Sequence, residues 1–78
     1  MKLEIISAEQ VLFTGEVASV ILPGSAGEFM VLRNHASLLA TLDSGTVRYT
    51  DDAGNSLSTE ITGGIVDVDN NVISVCVY

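Results

Sequence analysis

Residues 22–39, with the sequence LPGSAGEFMVLRNHASLL, carry the features that most constrain the fold of this chain. The first part, residues 23–27, combines the only proline of the chain with two glycines and a serine, a composition typical of a tight surface turn. The apolar residues 29–32 have the length of a short strand, and Asn34, which tolerates the left-handed conformation, indicates a second turn. This stretch therefore predicts a strand between two turns, with residues 36–42 apolar again after the second turn.

Alternating apolar and polar residues predict further strands on both sides of this stretch. Leu3 and Ile5 alternate with charged residues, and Val47 and Tyr49 alternate with an arginine and threonines. Four further turn signals are DSG at 43–45, DDAGNS at 51–56, GG at 63–64 and DNN at 69–71. A turn about every eight to twelve residues is typical of an all-β sandwich or small barrel.

Three local features leave alternatives open. Residues 36–42 have the composition of a helical turn, but they are too few for a self-supporting helix. Residues 14–16, with the sequence TGE, are a candidate turn or bulge before a long apolar strand that we expect to be central. Cys76 alternates with valines and is expected to be a small buried side chain or a thiol on an edge strand.

Composition limits the possible partners and compartments. With 78 residues we expect one small domain over 1–78, and the formal charge of −7, with three basic side chains, argues against nucleic acid and anionic lipid as partners. A basic protein partner remains open. The single cysteine excludes a disulfide framework, and no stretch resembles a signal peptide or a spanning helix. We therefore expect a soluble protein facing the cytoplasm or an organelle matrix, without direct membrane insertion.

His35 is the first candidate for chemistry, but it lacks partners for catalysis. The chain has no second histidine and no nucleophile motif around its serines or Cys76, so a structural role or a contact to a partner is favoured over catalysis. The double glycine at 63–64 lacks the lysine of a phosphate-binding loop, which favours a strand corner. We predict no catalytic residue and no cofactor.

A metal site is also disfavoured. Asp67, Asp69 and Asn71 share the spacing of the first ligands of an EF-hand loop, but Val72 stands where the loop needs glycine. A loose calcium site that includes residues 51–52 is a remote alternative. Solvent-facing carboxylates are the favoured interpretation, and we predict no metal.

A family resemblance rests on three segments that occur in the expected order. Residues 24–49, GSAGEFMVLRNHASLLATLDSGTVRY, resemble the signature region of the amino-terminal β domain of the epsilon subunit of rotary ATP synthases. The segments ISAEQ at 6–10 with FTG at 13–15, and TGGIVDV at 62–68, resemble the same family. The resemblance implies a flattened β-sandwich of two sheets and favours a strand at 36–42. It also implies a non-catalytic central-stalk subunit that couples the c-ring to the gamma subunit of a proton-translocating ATP synthase.

The resemblance implies two contact sites. The loop touching the polar loops of the c-ring would comprise Ser25, Ala26, Gly27 and Glu28. Its small residues let another backbone approach closely, and its carboxylate can pair with a basic residue of the ring. A solvated acidic turn is the alternative. The gamma contact would comprise Ser7, Arg33, Asn34 and His35. The chain departs from the family here, because Arg33 and Asn34 replace a usual Pro-Gly pair.

The resemblance implies a peripheral location on the cytoplasmic face of the membrane, or its organelle equivalent. Most members continue into a helical hairpin, but this sequence stops at Tyr78, so nucleotide binding and inhibition are not carried over. The alternative from another class is a free-standing small β-sandwich that binds a protein or a ligand. Such a module is expected to expose aromatic side chains for stacking, and the chain has four aromatic residues.

Overall fold

The computed structural model describes residues 1–78 and consists of eight β-strands joined by short turns. The strands are β1 (Lys2–Ile6), β2 (Val11–Gly24), β3 (Gly27–Leu32), β4 (Leu38–Leu42), β5 (Gly45–Asp51), β6 (Ser56–Ile61), β7 (Gly64–Asp69) and β8 (Val72–Val77). The all-β prediction is confirmed, and within residues 36–42 the strand alternative is correct for Leu38–Leu42. The structure has no helix long and apolar enough to cross a membrane.

The long strand β2 joins two layers. Its first half pairs with β1, and the order continues through β8 and β7 to β4; we call this layer sheet I. Its second half pairs with β3 on one side and β5 on the other, and β6 follows β5; we call this layer sheet II. Only the β1–β8 pair is parallel. The molecule measures 28 × 24 × 18 Å, which confirms the predicted flattened sandwich.

The hydrophobic core lies between the two sheets and forms one cluster of 15 buried residues. Leu3 and Ile5 of β1 are fully buried, and Val47 and Tyr49 of β5 also face inward, as their alternation predicts. Apolar side chains on one face of each strand therefore hold the sheets together, because this burial supplies the main stabilising free energy of a small domain.

A bulge explains why β2 can serve both sheets. Val17 and Val20 are both fully buried although they are three residues apart. The pairing with β5 shifts between Val17 and Ser19, so Ala18 is an extra residue in β2. Odd-numbered residues such as Val17 therefore face the core before the bulge, and even-numbered residues such as Val20 face it afterwards. Residues 14–16, predicted as a turn or bulge, instead continue β2 in regular pairing with β1.

Two features of β8 follow from strand geometry. Asn70 and Asn71, which precede β8, have φ of 48° and 61° and form the two-residue turn that the DNN signal predicts. Cys76 is exposed, so the prediction of a buried cysteine is wrong. Its neighbour Val75 faces the core, which directs Cys76 outward. The edge-strand alternative is also wrong, because β8 pairs with β1 and with β7.

Candidate protein-contact sites

The turn between β2 and β3 depends on two glycines for different reasons. Ser25 and Ala26 form its exposed tip. Gly27 has φ of 132°, a conformation that is strained for other residues. Gly24 is required by space, because a Cβ there would lie 2.6 Å from the Gly27 carbonyl oxygen and 2.8 Å from the Phe29 ring. The tip is therefore narrow and small, as a close contact with another backbone requires.

This turn is anchored to the end of β4. The Ser25 amide donates to the Thr41 carbonyl at 3.0 Å, and the Asp43 amide donates to the Pro23 carbonyl at 2.9 Å. The Ser25 hydroxyl donates to Asp43 Oδ1 at 2.8 Å. These three bonds hold the tip against sheet I, although its residues are exposed.

Glu28, next to the same turn, already has a cationic partner within the chain. Arg48 Nη2 donates to both carboxylate oxygens of Glu28 at 3.2 Å. Both side chains remain accessible, with 61% of Glu28 and 53% of Arg48 exposed. A basic residue of a partner would therefore share this carboxylate with Arg48.

A groove of about 660 Å³ lies between this turn and β4. Phe29, Leu38 and Leu39 are among its apolar lining residues, and Leu39 is 73% exposed. The paired leucines diverge because successive side chains of a strand point to opposite faces. No motif in the sequence signals this groove, because it forms only when the β2–β3 turn lies beside β4.

The turn between β3 and β4 is tied to the turn between β7 and β8. The Asn34 amide donates to Asn71 Oδ1 at 2.6 Å, and Asn71 Nδ2 donates to Asn34 Oδ1 at 3.1 Å. The Ser37 hydroxyl donates to Asp69 Oδ1 at 2.7 Å. Two residues of the calcium-like spacing thus hold this turn. The chain contains no group of three or more His, Cys, Asp or Glu side chains arranged to hold a metal ion.

Arg33 and His35 are exposed on this second turn. The His35 amide donates to the Leu32 carbonyl at 3.1 Å, which closes the turn. His35 Nδ1 lies 2.7 Å from the Ala36 carbonyl oxygen, and this bond requires the proton on Nδ1. The Nε2 atom is then the ring nitrogen available to a partner.

Ser7 lies at the opposite end of sheet I from the second turn. Its hydroxyl accepts from the amides of Glu9 and Gln10 at 3.4 and 3.3 Å in the turn between β1 and β2. Ser7 directly follows the end of β1. Asn71 directly precedes β8, which runs parallel to β1, and its carbonyl accepts from the Lys2 amide at the start of β1. Ser7 and Asn71 therefore lie at opposite ends of these two strands. The structure brings Arg33, Asn34 and His35 together, but not Ser7.

The outer face of sheet I carries an apolar row beside acidic residues. Ile6, Cys76 and Ile65 are directly paired across β1, β8 and β7, and Val11 is paired to Ile6 from β2. Ile65 is 43% exposed and Val11 is 59% exposed. Towards the second turn, the same face carries four carboxylates: Glu4, Glu16, Asp67 and Asp69. The sequence signal for this apolar row is the occurrence of apolar residues at strand positions where the apolar/polar alternation calls for a polar, outward-facing side chain.

Aromatic side chains contribute little to the surface. Phe13 packs on Tyr49 with ring centroids 4.5 Å apart, and the Tyr49 hydroxyl lies 3.0 Å from Thr59 Oγ1. Phe29 also packs against the core, whereas Tyr78 is 82% exposed. A stacking platform of several aromatic rings, expected of a ligand-binding module, is not formed.

The whole chain matches a known protein family. The family model for the β-sandwich domain of the ATP synthase delta/epsilon chain matches residues 1–78. The ATP synthase epsilon chain of Chlorobium limicola is 43% identical over 70 residues, which cover 90% of this chain and 80% of that protein. The epsilon chain of Leptospira interrogans (serovar copenhageni) is 42% identical over 76 residues, covering 96% of this chain and 58% of that protein.

Solved structures share the fold at lower identity. A chain in the Euglena gracilis mitochondrial ATP synthase (OSCP/F1/c-ring) matches with a TM-score of 0.89 and 22% identity, over 96% of this chain and 48% of that chain. A chain of the Tetrahymena thermophila mitochondrial ATP synthase central stalk/c-ring matches with a TM-score of 0.80 and 13% identity, over 97% and 61%. This chain thus spans about half of the Euglena chain and more than half of the Tetrahymena chain.

Proposed function

Since the chain belongs to the ATP synthase delta/epsilon chain family, we propose that it is a non-catalytic rotor subunit that couples the c-ring to the gamma subunit during ATP synthesis. The match over residues 1–78 supports one β-sandwich domain as the working unit. Relatives named as epsilon chains, and a similar chain in a structure named for the central stalk and c-ring, support a place in the rotor.

The observation that carries the proposal is the placement of two exposed turns at opposite ends of β3. Six residues of extended chain separate them, or about 20 Å. Each turn is hydrogen-bonded to another part of the fold, through Thr41 and Asp43 at one end and through Asp69 and Asn71 at the other. A part that transmits torque needs two distant contacts on a stiff body, and this arrangement supplies both.

The proposed gamma contact extends along the outer face of sheet I. A partner that touches both Ser7 and the turn with Arg33, Asn34 and His35 has to bridge the length of that sheet, because these residues lie at its two ends. The apolar row would bury against apolar side chains of gamma. The neighbouring carboxylates favour basic side chains at the rim of the gamma surface.

The proposed c-ring contact is the turn that comprises Ser25, Ala26, Gly27 and Glu28. Ser25, Ala26 and Gly27 are exposed and small, so a polar loop of the ring can approach their backbone closely, and the exposed carboxylate of Glu28 can accept from it. We place the subunit at the periphery of the membrane complex, on the cytoplasmic face or the organelle equivalent.

A charge placed in the apolar row tests the gamma contact. We expect Ile65→Glu to weaken binding to the gamma subunit of the same organism at least about tenfold, because a buried charge without a partner is costly. The matched control is Ser56→Glu, an exposed position of sheet II, which should bind gamma like the unchanged chain. Isothermal titration with circular dichroism of each variant measures both binding and folding.

Two results would contradict the proposal at different levels. Unchanged binding of a folded Ile65→Glu variant would remove the outer face of sheet I from the gamma contact. Absence of gamma binding by the folded, unchanged chain would overturn the rotor function and favour a free-standing binding module.

A further inference from the structure

The pair Glu28 and Arg48 spans one strand of sheet II. Glu28 of β3 is opposite Pro23 of β2, and Arg48 of β5 is opposite Ile21 on the other side of β2. Since neighbouring strands lie about 4.8 Å apart, the backbones of β3 and β5 are separated by about 10 Å. The two side chains therefore lie along the outer face of sheet II and meet across β2.

Arg48 forms the only ion pair between two side chains in the structure. Glu60, on the neighbouring strand β6, instead accepts a hydrogen bond from the Thr46 hydroxyl at 3.0 Å. An ion pair as exposed as Glu28 and Arg48 adds little to the stability of a fold, because solvent and salt screen it. Its main physical effect is to fix the direction of the Glu28 carboxylate beside the β2–β3 turn.

We infer that Arg48 is a positioning residue for the proposed c-ring contact, and this inference rests on the proposed function. Arg48 holds the Glu28 carboxylate through one terminal nitrogen, Nη2, and this contact fixes the direction in which the remaining lone pairs of the carboxylate face a partner. The pair therefore presents an oriented acceptor beside the β2–β3 turn. It fits a polar loop that offers a donor, such as a backbone or side-chain amide. A loop with basic side chains alone would meet repulsion from Arg48.

The test measures the affinity of the chain, in complex with gamma, for detergent-purified c-ring of the same organism. We expect Arg48→Ala to weaken c-ring binding about fivefold, and Arg48→Lys to recover part of the loss because it keeps the charge but not the planar fork. The double variant Glu28→Ala/Arg48→Ala should bind like Glu28→Ala alone, since Arg48 acts through Glu28. Ser56→Asp makes the same change in net charge elsewhere on sheet II and should leave binding unchanged. Urea unfolding midpoints should stay close to that of the unchanged chain.

Three results would overturn the inference. The first is that Arg48→Ala binds the c-ring like the unchanged chain. The second is that the losses of the two single variants multiply in the double variant, which would make Arg48 an independent contact. The third is that the urea midpoint of Arg48→Ala falls enough to account for its weaker binding. In each case the unchanged chain still binds the c-ring and the proposed function stands. Failure of the unchanged, folded chain to bind would overturn the proposed c-ring contact itself.

Discussion

The two turns that flank β3 are both exposed, but different interactions hold them. The β2–β3 turn is shaped by Gly24 and Gly27 and anchored to the adjacent β4. The β3–β4 turn is held by side chains from another turn, chiefly through Asn71. One end of β3 thus depends on close packing at two glycines and on hydrogen bonds to the end of β4, whereas the other depends on side-chain hydrogen bonds between two turns. Substitutions should therefore act differently at the two ends.

The largest effect is expected at Gly24. Its replacement by alanine places a Cβ into the Gly27 carbonyl and the Phe29 ring, so the turn must open. We expect a loss of about 1–3 kcal/mol in the free energy of unfolding, as for other overpacked sites. Urea denaturation measures it, and Ala26→Ser at the open tip is the control. A Gly24→Ala variant as stable as the Ala26→Ser variant would show that the turn relaxes easily. That result would contradict the dependence of this end of β3 on close backbone packing.

A smaller effect is expected at Asn71, where the hydrogen bonds to Asn34 can be removed without straining the backbone. Asn71→Gly keeps the positive φ but deletes both side-chain bonds, and we expect a loss of about 1–2 kcal/mol. Asn70→Gly is a matched control, because Asn70 also has positive φ but its side chain makes no hydrogen bond within the chain. Equal stabilities of the two variants in urea would show that the link between the turns contributes nothing.

The turn between β5 and β6 differs from both turns at β3, because the Asp51 carboxylate stabilises it through hydrogen bonds from residues of the same turn. The backbone amide of Asn55 and then its side-chain amide hold the pKa of Asp51 below its ordinary value of 3.8. Because the folded-state pKa is the lower one, the stabilisation is complete above the unfolded-state pKa and disappears as the pH falls through the folded-state pKa.

We expect Asp51→Ala to lower the urea midpoint modestly at pH 7 and to approach the unchanged chain below about pH 3.8. The control is Asp52→Ala, which removes the adjacent exposed carboxylate and should leave the urea midpoint close to that of the unchanged chain at both pH values. A stability difference for Asp51→Ala that is the same at pH 7 and pH 3 would exclude the carboxylate as its source.

Local physics made much of the fold predictable from the sequence. Alternation correctly placed Leu3, Ile5, Val47 and Tyr49 in the core. Glycine, proline and asparagine marked the turns, since few residues tolerate the required backbone angles. The same rule of alternation directs Cys76 outward, because the adjacent Val75 faces the core. The wrong prediction of a buried cysteine came from its apolar neighbours in sequence and ignored this alternation.

Features that depend on pairing between distant strands were not predictable. The parallel pairing of β1 with β8 separates Ser7 from His35, and nothing local to either residue signals it. The contact of Glu28 with Arg48 requires that β3 and β5 both flank β2. The parity change at Ala18 likewise appears only when β2 is paired with β5. The contact residues themselves were suggested by family resemblance, and they stay predictions.

The most direct test of two separate contact sites is a titration of His35→Ala and Glu28→Lys against purified gamma subunit and, separately, against purified c-ring. We expect His35→Ala to weaken binding to gamma and to leave c-ring binding unchanged, and Glu28→Lys to weaken c-ring binding and to leave gamma binding unchanged. Circular dichroism verifies that both variants fold. If either folded variant weakens both interactions equally, or if both variants weaken the same one, the two ends of β3 do not serve different partners.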